Sequence, residues 1–106
     1  MKKNSEIEYP GEALLLMNMK WPQYYMDLTY SPHALKRIKE RRQNRLLSYP
    51  DRIRITPDNL YKGYTTNGWW IHKVVVKMRF SNDEWIYLVI MLDKKVVKSV
   101  WFEKIT

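Results

Sequence analysis

The stretch Trp85-Ile86-Tyr87-Leu88-Val89-Ile90-Met91-Leu92 decides the fold, because it is the longest apolar run of the chain. A helix needs about 20 apolar residues to cross a bilayer, and this run is far shorter. Its β-branched and aromatic residues instead predict a strand. Since both of its faces are apolar, we expect it in the centre of a sheet, covered on both sides.

Two further strands are predicted to flank this central run. Residues 69–80 and 96–102 are rich in β-branched and aromatic side chains, and short polar segments of the hairpin type connect them to the run. Upstream, the pattern predicts shorter strands at residues 24–30 and 52–56. Residues 61–68 are polar and contain glycine, which predicts a loop.

A helix is predicted from Pro32 to about Leu46. Ser31 is a good N-cap, and proline is favoured at the first helical position. Leu35 and Ile38 follow at helical spacing and give the helix an apolar stripe that can pack on the sheet. Together these elements predict an α+β fold, with one or two helices on one face of a mainly antiparallel sheet.

The 106 residues are expected to form a single domain. In this prediction residues 24–106 form the core. Residues 1–23 are an N-terminal extension, in which a loose arm at 1–10 precedes a short helix at 12–20. The apolar run at 13–17 is too short for a signal peptide. We therefore expect a soluble, cytoplasmic protein that does not contact a membrane.

The composition excludes several kinds of chemistry. The chain has no cysteine, which removes disulfides, thiolate zinc sites and cysteine nucleophiles. Its three glycines argue against a glycine-rich phosphate loop. Two histidines without an adjacent carboxylate motif give no support for a metal site. We expect neither a metal nor any other cofactor.

The positive charge is concentrated on and just after the predicted helix. The chain carries a formal net charge of +8. Residues 31–62 hold nine basic and three acidic residues, and six of the basic ones lie between Lys36 and Arg45. A focused cationic patch attracts phosphates and releases their counterions. RNA is the expected partner, and a solvated helix face without a ligand is the alternative interpretation.

His33, Arg37 and Arg41 recur every fourth residue and so lie on one stripe of the helix. The positive N-terminus of a helix disfavours the imidazolium form of His33, and a neutral imidazole can act as a general base. Guanidinium groups bind phosphate through paired hydrogen bonds. The stripe therefore suits RNA cleavage by the 2′-hydroxyl of the RNA, with His33 as base and the arginines stabilising the phosphorane. The alternative is an exposed histidine on a basic helix.

His72 is the only other histidine and a candidate general acid, a role that a tyrosine can also fill. Strand alternation places it on the face of Val74 and Val76, so a core-edge histidine is the alternative interpretation. The opposite face of this strand is basic and can follow an RNA backbone, and an aromatic side chain beside it can stack on bases. The residues expected to contact nucleic acid are Lys36, Arg42, Arg45, Trp69, Lys73, Lys77 and Arg79.

A family pattern is present at residues 28–41, where a predicted strand runs into Ser31, His33, Arg37 and Arg41. The spacing Ser-x-His-Ala-x-x-Arg-x-x-x-Arg resembles a family of small bacterial and phage proteins that is grouped with the RelE/ParE-like toxins. The resemblance implies a RelE-like core, with a helix on a curved, four- to five-stranded antiparallel sheet. It also implies toxin activity against RNA through His33, Arg37 and Arg41, and an acidic antitoxin as partner.

The sequence thus predicts a toxin-like, metal-independent endoribonuclease that leaves 2′,3′-cyclic phosphate ends. Two other functions remain open. One is a basic nucleic-acid-binding module without catalysis, and the other is an interaction protein of a phage or mobile element that inhibits a host enzyme.

Overall fold

The fold is described by a computed structural model that covers residues 6–17, 21–42, 49–68 and 70–105. It is α+β, as the sequence predicts. In chain order its elements are β1 (Glu6–Pro10), α1 (Gly11–Leu16), β2 (Met26–Asp27), β3 (Thr29–Tyr30), α2 (Pro32–Arg42), β4 (Arg52–Ile53), β5 (Leu60–Thr66), β6 (Trp70–Ser81), β7 (Glu84–Met91) and β8 (Val96–Lys104).

Within the described residues, six strands form one sheet in the order β1-β5-β6-β7-β8-β3, where four to five strands are predicted. Neighbouring strands are antiparallel, except that β3 runs parallel to the start of β8. The apolar strand β7 lies between β6 and β8, which confirms its predicted place inside the sheet. β2 and β4 form a separate two-stranded sheet.

Both helices cover the same face of the large sheet, which we call the helix face. Leu14 of α1 and Ala34 and Ile38 of α2 have no solvent exposure. They share one hydrophobic core with residues of β6, β7 and β8, namely Val74, Val76, Ile86, Leu88, Ile90, Val97 and Val100. This arrangement confirms the predicted packing of helices on one face.

The opposite face of the sheet, which we call the back face, carries aromatic and basic side chains. Val75 and Tyr87 on this face are buried, at 1% and 2% exposure, although they lie outside the core under the helices. Neighbouring rings and lysine stems cover them, so both faces of β7 are protected although the helices cover only one. The back face includes Tyr61, Tyr64, Lys73, Val75, Lys77, Arg79, Trp85, Tyr87 and Trp101.

Two glycines bring α1 and β5 into close contact. A Cβ atom at Gly63 would lie 2.6 Å from Cδ1 of Leu14, and a Cβ atom at Gly11 would lie 2.3 Å from the carbonyl oxygen of Leu60. Real Cβ atoms do not approach other atoms so closely. The absence of a side chain at both positions therefore allows Leu14 to reach the core.

The structure corrects the prediction for several strands. Residues 6–10 of the predicted loose arm form β1, which pairs along its whole length with β5. The predicted loop at 61–68 is mostly strand β5, because this segment pairs with β1 on one side and with β6 on the other. The strand predicted at 24–30 is divided into β2 and β3, and the one predicted at 52–56 is reduced to β4.

The helices differ from the prediction in length. α1 ends at Leu16, whereas the prediction extends this helix to residue 20. α2 is described as far as Arg42. Its predicted continuation to Leu46 falls at residues 43–48, which lie outside the described residues.

Candidate nucleic-acid interface

Ser31 fixes the start of α2 against β8. Its hydroxyl oxygen accepts a hydrogen bond from the backbone N–H of Ala34 at 3.1 Å, as an N-cap does. The same hydroxyl donates to the carbonyl of Lys98 at 2.8 Å, and the backbone N–H of Ser31 donates to Val97 at 3.0 Å. The N-cap predicted from the sequence therefore also joins the helix to the sheet.

The cationic side of α2 faces solvent. His33, Lys36 and Arg37 are exposed, whereas Ala34 and Ile38 point into the core. His33 and Arg37 are one turn apart and therefore neighbours on the exposed side, as the spacing predicts. This places an imidazole beside a guanidinium group on a surface that is accessible to a large ligand.

Arg41 lies one turn further along α2 and has a different environment. Its Nε donates to Oε2 of Glu84 at 2.6 Å, and its Nη2 forms an ion pair with the same oxygen. The side chain of Glu84 is only 5% exposed, and the guanidinium carbon of Arg41 lies 5.5 Å from the centre of the Phe102 ring. Because Arg41 offsets the charge of a nearly buried carboxylate, less of its positive charge is left for a phosphate.

A cavity of about 330 Å³ lies between α2 and β8. Arg37, Glu40 and Arg41 line it on the helix side, and Trp101 and Phe102 line it on the strand side. Consecutive strand residues point to opposite faces of a sheet, so a cavity that reaches both Trp101 and Phe102 lies at the edge of β8. The site therefore combines two guanidinium groups, one carboxylate and two aromatic rings.

His72 occupies a different part of the molecule. Its Nδ1 lies 3.0 Å from Oγ1 of Thr66, and its Nε2 lies 2.7 Å from Oε2 of Glu6 on the edge strand β1. α2 instead contacts β8, near the other edge of the sheet. The structure therefore does not bring His72 next to His33, and it does not assemble the predicted acid–base pair.

The face assigned to His72 from strand alternation is wrong. Tyr64 pairs with Lys73 and Thr65 pairs with Ile71, so His72 is the extra residue of a β-bulge. Ile71 and Val74 both belong to the core, whereas His72 and Lys73 both contact Glu6. The bulge turns His72 away from the apolar face on which the alternation places it.

The predicted basic residues of β6 lie on the back face. Lys73 bonds to Glu6 at 3.3 Å, and its Nζ lies 4.2 Å from the centre of the Tyr64 ring. Lys77 and Arg79 lie against the ring of Trp85, at 4.7 Å and 5.3 Å from its centre. The candidates on β6 and those on α2 thus form two surfaces rather than one.

The structure describes the remaining candidates to different extents. Lys36 is exposed on α2. Arg45 and Trp69 lie outside the described residues, and for Arg42 the structure describes the backbone but not the side chain.

Four residues of the site are absent from the sequence-based candidates, namely Glu40, Glu84, Trp101 and Phe102. Glu84 directly follows a turn, where a charged side chain is expected to be exposed, but it is buried. Trp101 and Phe102 belong to a strand, where aromatic side chains more often pack in the core than contact a ligand. Charge complementarity is the signal that links Arg41 to Glu84, but the two residues are 43 positions apart and only the packing of α2 on the sheet brings them together.

The ring of Tyr87 on the back face stacks on Trp101, which lines the cavity. Its hydroxyl donates to Oε1 of Glu103 at 3.0 Å. Burial, and then this hydrogen bond, raise the pKa of Tyr87 to about 12. The ring is therefore neutral across the physiological pH range.

Comparison with known proteins provides no relative for the chain. No family model matches it, and neither does any curated protein or any solved structure. The resemblance to RelE/ParE-like toxins therefore remains a prediction from the α2 motif.

Two further findings concern the described residues as a group. They contain no set of three or more His, Cys, Asp or Glu side chains arranged to hold a metal ion. None of their helices has the length and apolar character that are needed to cross a membrane.

Proposed function

We propose that this protein binds RNA through the exposed cationic side of α2 and the cavity beside it. The observation that carries the proposal is the position of Arg37, which is exposed and lines a cavity together with Trp101. A guanidinium group beside an aromatic ring can contact a phosphate and a base of the same nucleotide.

The charge distribution supports RNA as the ligand. α2 carries Lys36, Arg37 and Lys39 as exposed cations, with Glu40 as the single acid of the helix. Cations grouped in this way displace counterions from a phosphate backbone, which makes affinity depend strongly on salt. The back face adds Lys77 and Arg79, whose cationic groups lie against the Trp85 ring.

The experiment measures the affinity for a short single-stranded RNA over a range of salt concentrations. Arg37→Ala is expected to weaken binding about tenfold and to reduce the slope of log affinity against log salt by about 1. Arg54→Ala is the matched control, because Arg54 is also exposed but lies against Tyr25, away from α2. Equal losses in the two variants, or no binding by the wild type, would contradict the proposal.

RNA cleavage is the second candidate function, favoured by the position of His33 one turn from Arg37. In this reaction His33 takes the proton of the 2′-hydroxyl, the 2′-oxygen bonds to phosphorus, and the bond from phosphorus to the 5′-oxygen breaks. The departing 5′-oxygen takes a proton from water, because His72 lies by β1 near the opposite edge of the sheet from α2. Arg37 stabilises the charge on the phosphorane.

A cleavage assay in EDTA separates the two candidates. An endoribonuclease of this kind yields 2′,3′-cyclic phosphate ends without a metal, and His33→Ala abolishes cleavage while it preserves RNA affinity. If the wild type binds RNA and leaves it intact, the protein is a binding module. The antitoxin and host-enzyme partners remain predictions, and a protein complex that survives nuclease treatment would favour them.

A further inference from the structure

Trp101 connects the two candidate surfaces. It is half-buried on the back face, and it also lines the cavity that contains Arg37 and Arg41. Its indole ring is nearly parallel to the ring of Tyr87, with an angle of 6° between the planes and 4.6 Å between the centres. Tyr87 is itself held from the side by Tyr61, at 4.9 Å.

This geometry leaves one face of the indole for a further ring. Tyr87 covers one face of Trp101, so a third ring can extend the stack only on the other face. Tyr87 is fixed by burial and by its hydrogen bond to Glu103. The stacked Tyr87 ring therefore restrains the indole, and little side-chain freedom is lost when a ligand stacks on its other face.

The cavity also offers suitable size and charge. Its volume of about 330 Å³ lies at the lower end of the range for small-molecule sites, about 300–1,000 Å³. Arg41 is held by Glu84 and Phe102 and forms a fixed part of the wall. Arg37 is the exposed cation at the same cavity, where a phosphate attached to the stacked ring can reach it.

We propose that this cavity binds one unpaired nucleotide, whose base stacks on Trp101 and whose phosphate pairs with Arg37. The inference rests on the proposed RNA binding and specifies its substrate class as single-stranded RNA. In a duplex both faces of each base are covered by neighbouring bases, so no face is available to Trp101. The protein therefore prefers single strands over duplexes of the same sequence.

The test compares three tryptophan variants in binding to a single-stranded RNA and to the matching duplex. Trp101→Leu is expected to weaken single-strand binding about tenfold and to leave duplex binding unchanged. Trp101→Phe keeps a smaller ring and is expected to lose less. Trp70→Leu is the control, because Trp70 is 64% exposed at the far end of β6.

A second measurement keeps the test informative if Trp101→Leu does not fold. In wild-type protein labelled with 5-fluorotryptophan, the ¹⁹F resonance that is missing in Trp101→Phe belongs to Trp101. This resonance is expected to shift on addition of the single strand and to stay in place with the duplex. A resonance that does not move would overturn the inference.

The outcomes also separate this inference from the proposal on which it rests. If Arg37→Ala weakens binding while Trp101→Leu does not, RNA binding holds and base stacking on Trp101 is wrong. If Trp101→Leu weakens single-strand and duplex binding equally, the preference for unpaired bases is wrong. If the wild type binds neither RNA, the proposed function itself fails.

Discussion

Arg37 and Arg41 are one turn apart on α2, and their environments assign them different roles. Arg41→Met removes an ion pair of the nearly buried Glu84, so we expect the free energy of unfolding to fall by about 2 kcal/mol. The half-exposed position of Arg41 keeps this loss below the full cost of breaking a buried pair. Arg37→Met makes the same chemical change on the exposed side and is expected to stay within about 0.5 kcal/mol. Urea unfolding measures both, and equal losses would contradict the structural role of Arg41.

Thr65 is a second residue with a measurable consequence. It has no solvent exposure, and its hydroxyl has no hydrogen-bond partner in the described part of the chain. Thr65→Val keeps the shape and removes the unsatisfied group, so we expect the protein to gain about 1 kcal/mol in stability. Thr65→Ser keeps the hydroxyl and loses a methyl group, so it is expected to be less stable than the wild type. Thermal unfolding of the pair tests this, and a lower melting temperature for Thr65→Val would refute it.

At the scale of elements, the position of α2 depends on Ser31. Ser31→Ala removes both the acceptor for Ala34 and the donor to Lys98, so we expect a loss of about 1–2 kcal/mol. Ser31→Asp restores the acceptor alone and is expected to recover part of that loss. Denaturant unfolding of the three proteins measures the order, and an Asp variant less stable than the Ala variant would show that the cap has no role here.

The elements also show how far the sequence alone reaches. Apolar runs predict β6, β7 and β8, because these strands are formed from residues that favour extended backbone. β1 and β5 are missed, since their polar residues are stabilised by pairing with each other across more than 50 positions. Such pairing leaves no local signal.

The same distinction holds for the candidate site. Helical spacing correctly places His33 and Arg37 together on the exposed side of α2. The bulge at His72 adds one residue to the strand, and alternation from the sequence cannot reveal it. The approach of Trp101 to Arg37 follows from how α2 lies on β8, which is a property of the whole fold.

At the scale of the whole molecule, Glu6 ties the edge strand β1 to β6 across β5. The hydrogen bond with His72, opposed by partial burial and aided by Lys73, holds the pKa of Glu6 below its ordinary value of 4.5. A lowered pKa means that Glu6 stabilises the fold above 4.5 and that this contribution disappears as the pH falls through the lowered value.

Glu6→Gln is therefore expected to be less stable than the wild type at neutral pH, by less than about 1 kcal/mol because the site is largely exposed. The difference is expected to close in acid. Urea unfolding at neutral pH and at a pH well below 4.5 measures it. Glu12→Gln, at an exposed position of α1, serves as the control and is expected to show little difference at either pH. A difference that grows in acid would contradict the assigned contact.

The order of strands has a consequence for how the protein is made. β5 to β8 are consecutive in the chain, but β1 pairs with β5, and both β3 and α2 contact β8. During translation the N-terminal elements leave the ribosome before the strands that receive them have been synthesised. An isolated helix of 11 residues is marginal in water, so α2 has little stability of its own at that stage. The surface that holds Arg37 is therefore completed only after β8, the last strand in chain order, has emerged.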